Sequence, residues 1–331
     1  MLEQAGVQTT IARIQQMEQY FDGVSRALAT NSELLYQDVA IQKVIQELMA
    51  YMDSGQWLQD YECDERGELP RDLKRGVLSQ DGLYNLLCDI ETLKREVNKA
   101  NAELNYQQVQ KIAKDTLEYA KQHIYAGMNL REVRKMCEDK MLELGADSFW
   151  YWDVGAFVFA GDETTISVSG TQYVTSDRMI AQNDMITIDL SPQNKDTWGD
   201  FARTLIVQNG IVVEQEQVEN AEWREGLEME DFLHEELFRF ATPQTTFEEL
   251  YYYMNRVIEE KGFVNLDFMG NLGHSIVRQK SNRIYIEKGN TKRLGDVAYF
   301  TFEPHISVPG SKFGYKKENI YYFMDRNLKE L

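Results

Sequence analysis

Asp189, Asp200, His274, Glu303 and Glu318 are the residues of this 331-residue chain whose types and order could do chemistry together. Each lies in or beside a strand-like run: ITIDL, GDFART, NLGHSIV, YFTFEP and KKENIYYF. Asp189 and Asp200 are eleven residues apart, on the facing ends of a hairpin that breaks at Pro192. Two carboxylates that converge are costly unless something positive sits between them. Four carboxylates and one imidazole are mostly hard oxygen donors, suited to two divalent ions such as Mn²⁺, Fe²⁺, Co²⁺ or Zn²⁺ with carboxylates bridging. Two such ions can activate a water and stabilise charge that develops on a carbonyl oxygen. Singly, each residue has a plainer reading: a strand-end aspartate is a turn acid, and the histidine of GHS a loop residue.

The elements that must position them begin near residue 105, where helices and strands alternate. A helix opens at Asn129 with Glu132 three residues on and closes at Gly145; another opens at Thr246 with Glu249 three residues on and closes at Gly262. Both have the capping-box pattern and the same length. NDMITIDLSP is echoed later by GDVAYFTFEPHI, each an acidic turn, an apolar strand, then a carboxylate with proline close behind. The expectation is an α+β fold of two similar α/β halves, each delivering acids from its strands. The run SFWYWDVGAFVF reads as strand core, with Trp150 or Trp152 as a candidate pocket wall.

The first hundred residues read differently. Ile14, Met17, Phe21, Val24 and Leu28 form one helical stripe; Ile41, Ile45, Leu48 and Met52 a second; Leu83, Leu86, Ile90 and Leu93 a third. The expectation is a small three-helix all-α domain over residues 1–104, with the stretch from Ser54 to Gly82 as a long ordered loop, followed by a domain over 105–331. The formal net charge of −19 argues against nucleic acid and anionic membrane as main partners and favours drawing a cation to a focused acidic site. Three cysteines without CxxC spacing, no leader-like N-terminus and no membrane-length apolar run point to the cytoplasm.

Taken together, IDLSPQNKDTWGDFARTL, LGHSI, FTFEP and KKENIYYF resemble the methionine aminopeptidase, aminopeptidase P and prolidase superfamily, the pita-bread metallopeptidases, over about residues 105–331. The resemblance implies that Asp189 chelates one metal, Asp200 and Glu318 bridge, and His274 and Glu303 bind the other metal, with manganese or iron favoured. It implies a dinuclear hydrolase of Xaa-Pro aminopeptidase or dipeptidase type, in which a metal-bridging hydroxide attacks the amide carbonyl of a small peptide and Glu303 shuttles a proton. Creatine amidinohydrolase shares this fold without the metal set, and the intact ligands point away from it. In the N-terminal part, GELPRDLKRGVLSQDGLYNLL resembles a short bacterial domain family of unknown function, over roughly residues 10–98. For that part a dimer contact, a cover over the cleft and recruitment of a partner all stand open.

Two departures from the superfamily pattern matter. The loop before the first aspartate strand, SVSGTQYVTSDRMI, has Gln172 where a histidine is usual, and HSIVRQKSNRIYI offers Lys280 and Ser281 in place of a second histidine. Their loss motivates an alternative, oxidation or lyase chemistry on a small amino-acid-like molecule; a catalytically silent binding protein is the third reading. His305, two residues after Glu303, is the candidate replacement imidazole, because i and i+2 on a strand share a face. His123 and His234 lie in helical, charge-rich stretches away from the motifs. Gln172, Arg203 and Lys280 are candidate substrate-binding residues; Arg178 could also take a carboxylate, although a solvated position is the default for all three cations.

Overall fold

The computed structural model describes residues 2–79 and 81–331. The chain divides into two compact units, Met1–Ala102 and Glu103–Leu331. In the first, helices α1 (Leu2–Thr30), α2 (Leu34–Gln37), α3 (Val39–Asp53), α4 (Gln56–Glu65) and the start of α5 (Gly82–His123) surround one apolar cluster. Its members include Ile14, Val24, Ile45, Leu48, Leu83, Leu86 and Ile90, so the three stripes face inward as their spacing predicts.

The three-helix expectation is corrected by α4, which lies inside the stretch read as loop. Gly, Pro and mixed charge there concealed a helix held by tertiary contacts. Buried Asp60 on α4 pairs with Arg13 and accepts from the Tyr51 hydroxyl at 2.8 Å. After α4, residues 66–79 run as an ordered loop. Buried Glu18 accepts from the Gly76 and Val77 amides at 3.2 and 2.6 Å, and the Trp57 indole donates to the Val77 carbonyl at 2.8 Å.

The second unit is built twice over. After α6 (Leu130–Glu143) come β1 (Ser148–Phe149), β2 (Ala156–Ala160), β3 (Asp184–Leu190), β4 (Pro192–Asn194), β5 (Thr197–Trp198), β6 (Phe201–Gln208) and β7 (Ile211–Val213). After α7 (Ala221–Phe240) and α8 (Phe247–Glu260) come β8 (Val264–Asn265), β9 (Ser275–Ile276), β10 (Tyr299–Phe302), β11 (His305–Ser307), β12 (Tyr315–Lys316), β13 (Asn319–Met324) and β14 (Asn327–Glu330). The sheet orders β2-β3-β6-β7 and β9-β10-β13-β14 match, as do the three-stranded β1-β4-β5 and β8-β11-β12. The two halves therefore share one strand plan, as the echo in the sequence predicts.

Both capping boxes form, Asn129 with Glu132 and Thr246 with Glu249. Gly145 and Gly262 take positive φ just past the helix ends. The aromatic run is only partly strand: Trp152 and Asp153 turn between β1 and β2, and Trp152 is 64% exposed. Each half has its own core. One gathers Ile112, Leu117, Val133, Ile186, Ile188 and Leu205; the other gathers Leu233, Leu250, Met254, Phe300, Phe302 and Tyr321.

Candidate metal centre

The shared strand plan puts the acids at equivalent places. Asp189 is the penultimate residue of β3, and Glu303 follows the end of β10; Asp200 just precedes β6, and Glu318 just precedes β13. The halves join where Ala202 pairs with Glu318, and Ala202 also pairs with Asp189. Side-chain oxygens of Asp189, Asp200 and Glu318 come within 4.8 Å of one another. His274 enters from the start of β9, its Nε2 3.5 Å from Asp200 and 3.9 Å from Glu303. All five predicted residues thus converge in the second unit.

Backbone contacts fix these positions. The Gln110 side chain clamps Asp200, donating to its carbonyl at 2.7 Å and accepting from its amide at 3.1 Å. The Glu318 amide donates to the Ala202 carbonyl at 3.0 Å, and the Glu303 amide to the Leu272 carbonyl at 2.9 Å. The His274 Nδ1 faces the Ser275 carbonyl at 3.2 Å. That contact places the ring proton on Nδ1 and leaves the Nε2 lone pair toward the acids, the orientation a metal-ligating imidazole needs.

The electrostatics are those of a site built for cations. Burial, then Asp189, holds the Asp200 carboxyl well above the ordinary range; burial, then Asp200 and Glu303, does the same to Glu318. Burial pushes Glu303 up to about 7 against the pull of Lys316. Burial also lowers His274 to about 4. Both Glu318 carboxylate oxygens are buried without a hydrogen-bond partner, which is costly for a charged acceptor. Four carboxylates, an imidazole presented by Nε2 and an orphaned buried carboxylate fit divalent ions of the manganese, iron, cobalt or zinc kind.

A cavity of about 610 Å³ opens onto this cluster. His305 lines it, but not by the i, i+2 argument, since β10 ends at Phe302 and β11 begins at His305 in another sheet; Gln172 and Trp150 form part of its wall. The His305 Nε2 sits 2.7 Å from the Thr164 carbonyl, so it donates there and Nδ1 is the bare nitrogen.

The three other cations are corrected. Arg203 lies off this cavity: it donates to the Ala202 and Glu318 carbonyls at 2.7 and 2.8 Å and to Asn319 at 2.7 Å, stacked on Phe201. Lys280 is likewise outside the lining, donating to the Trp150 carbonyl and to Gln193. Arg178 pairs with Asp162 and Asp184. His234 is also corrected: it is buried beside β13, 2.6 Å from the Tyr321 hydroxyl and 3.1 Å from the Lys317 carbonyl.

Sequence reasoning missed Lys316 and Arg283. Lys316 reaches Asp189 at 2.5 Å and Glu303 at 3.2 Å. Its place two residues before Glu318 carried the same i, i+2 signal that singled out His305. Arg283 lines the cavity among aromatic rings, and nothing in its local sequence marked it.

Comparisons with known proteins agree with this geometry. The model of metallopeptidase family M24 matches residues 105–324, and that of a domain of unknown function (DUF4298) matches residues 14–99. Among solved structures, X-Pro aminopeptidase from Thermotoga maritima is 21% identical with a TM-score of 0.59, over 70% of this chain and 60% of that one. Prolidase from Pyrococcus furiosus is 22% identical with a TM-score of 0.58, over 70% and 63%. Xaa-Pro dipeptidase from Bacillus anthracis is 18% identical with a TM-score of 0.57, over 70% and 60%. The chain thus spans about 60% of the length of the structures it resembles. No curated protein matches it. The likeness shows the pita-bread fold for the second unit. Among the described residues, no helix is long and apolar enough to cross a membrane.

Proposed function

Because the chain belongs to metallopeptidase family M24, we propose that it is a metal-dependent hydrolase of small peptides, most simply an Xaa-Pro dipeptidase or aminopeptidase. Asp189, Asp200, His274, Glu303 and Glu318 would hold two divalent ions. The observation that carries this reading is the buried Glu318 carboxylate, which has no cationic or amide donor and faces only the acids Asp189 and Asp200 within reach. Bound there, the ions supply Lewis acidity and a water that ionises near neutral pH.

The chain's own residues do the rest. Asp200 and Glu318 are held by backbone contacts, so their carboxylates need no rearrangement to accept cations. Glu303 stands at the cavity edge of the cluster, where its carboxylate can hold and pass a proton. His305 presents a bare Nδ1 on the same ring that Thr164 anchors, and so accepts a proton or a hydrogen bond from a bound peptide. Gln172 and the aromatic wall around Trp150 position the peptide and exclude water.

Asp200→Ala tests the centre. The variant should lose at least one of two ions by elemental analysis, because it removes a carboxylate that both neighbouring acids share. Full occupancy in that variant would sink the assignment. Chemistry is tested with a dipeptide panel alongside oxygen uptake: peptide cleavage supports the hydrolase, and oxygen uptake without cleavage replaces it with an oxidation.

A further inference from the structure

Where α7 lies against β13, four polar side chains follow one another without a break. Arg203 on β6 starts the series, its Nη2 donating to the Asn319 Oδ1 at 2.7 Å. The Asn319 Nδ2 donates to the Tyr321 hydroxyl at 3.3 Å, and also to Glu330 at 2.9 Å. The Tyr321 hydroxyl lies 2.6 Å from the His234 Nδ1, and the His234 Nε2 lies 3.1 Å from the Lys317 carbonyl. A carbonyl only accepts, so Nε2 carries the ring proton and the bare Nδ1 accepts from the tyrosine. Burial suits a neutral ring here, because it holds the imidazole well below the ordinary histidine value. Every donor therefore points the same way, from the arginine to the Lys317 carbonyl, an arrangement in which each bond polarises the next. His234, Asn319 and Tyr321 are 4%, 2% and 0% exposed, so water does not substitute for these bonds.

Both ends of the series close on one residue. The Arg203 Nη1 donates to the Glu318 carbonyl at 2.8 Å and to the Ala202 carbonyl at 2.7 Å, and the Glu318 amide donates to that same Ala202 carbonyl at 3.0 Å. His234 holds the carbonyl of the preceding peptide. The peptide planes on both sides of the Glu318 Cα are thus pinned, and with them the direction of its Cα–Cβ bond. The carboxylate itself has no cationic or amide donor to aim it. Ala202 and Glu318 are also where the two halves pair. We propose that Arg203, Asn319, Tyr321 and His234 are positioning residues, a buried lock that holds Glu318 where two divalent ions need it. The proposal rests on the metal-centre reading and deepens it. Neither Arg203 nor His234 lines the cavity above the acids, so both act through the backbone of Glu318 and not on a substrate.

The test measures Mn(II) binding by the full-length, chelator-treated protein. Tyr321→Phe removes only the hydroxyl in the middle of the series, and Arg203→Met removes its start. The weaker of the two Mn(II) sites should lose roughly 3- to 10-fold in affinity in Tyr321→Phe, the scale of one neutral hydrogen bond. It should lose roughly 10- to 100-fold in Arg203→Met, the scale of losing a group that orients a metal ligand. Arg203→Lys keeps a donor for the carbonyls and should recover part of that loss. At saturating Mn(II), the spin coupling between the two ions seen by EPR should weaken in Arg203→Met, since it reports how firmly a shared carboxylate is held. Variants that melt lower yet bind both ions with wild-type affinity and coupling would overturn the proposal and leave these residues to packing alone. If Arg203→Met does not fold, Tyr321→Phe decides, because phenylalanine fills the same space. Should the wild type bind no divalent ion, the metal reading fails separately. Amide hydrogen exchange then decides the lock: faster exchange confined to residues 315–321 in Tyr321→Phe supports it, and unchanged exchange there overturns it.

Discussion

Asp200, Glu303 and Glu318 are carboxyls whose burial is matched by too few donors, and burial is the first cause of each upward shift. In the metal-free protein the shift has a definite sign. A carboxyl raised in the fold above its unfolded value of about 4 stabilises the fold below that value. The contribution is lost as pH rises through the folded value, about 7 for Glu303. Divalent ions held by these carboxyls would restore what is lost, because they would bind the ionised form and release protons. The gain in Tm on adding Mn(II) to chelator-treated protein should therefore grow from pH 5 to pH 8. Referring each Tm to the metal-free protein at the same pH cancels the exposed acids. A gain that shrank over that range would mean that these carboxyls are not the ligands. His305 is a different case. Burial first, then Lys316, lowers its imidazole to about 4, so it is neutral at working pH. Its role would be through bare Nδ1, as acceptor. His305→Ala should keep the metal and lose roughly 10²-fold in turnover, the usual scale for an acid–base group. Near wild-type turnover of a cleaved peptide would remove His305 from the mechanism.

Elements explain why some of this was legible and some was not. The capped helices α6 and α8 announce themselves by side chains that satisfy their own first turn, a local signal. The five acid and imidazole positions were legible because each sits at an apolar strand end in a fixed order. Strands of two or three residues, such as β9 and β12, carry no period and exist only through pairing. Helix α4 was hidden for a similar reason: Asp60 and Cys63 look like solvated loop residues until Arg13 and Tyr51 meet Asp60. Which of 35 Lys and Arg residues turn inward is likewise a tertiary outcome, and so Arg283 was missed and Arg203 misplaced. The entry to β9 makes the matching prediction. Gly273 has φ +134°, and a Cβ there would come within 2.4 Å of the Thr301 carbonyl oxygen. The His274 amide donates to the Thr301 hydroxyl at 3.0 Å, so the close approach is what aims the imidazole. Gly273→Ala should displace His274, weaken metal binding at least roughly 10-fold and cost about 1–3 kcal/mol of stability. Titration calorimetry beside thermal melts checks it; unchanged metal affinity would show that the glycine serves packing alone.

At the scale of the whole molecule, the doubled strand plan puts the centre on the seam between halves, where each supplies two carboxylates and the second adds the imidazole. Such a site requires both halves folded, and among the described residues the clustered acids and the cavity lining all lie after Glu103. Lys316, Arg283, His305 and the clamping Gln110 also belong to the second unit. The end of α5 belongs with it as well, since Ile112, Ala113, Leu117 and Ala120 are buried in the core of the first half. A chain beginning at Glu103 therefore keeps the candidate ligands, their backbone clamps and the part of the helix that carries Gln110. It loses the first unit, which has its own apolar cluster and its own buried ion pair. We expect this truncated chain, once shown to be folded by circular dichroism, to bind divalent metal within about threefold of the full-length affinity, because the contacts that fix each carboxylate are retained. A reduced Tm would leave the expectation intact, since a helix cut in its middle frays at the new end. A folded truncated chain that bound no metal would show instead that the helical unit completes the centre, and the first hundred residues would then have to supply a ligand or hold one in place.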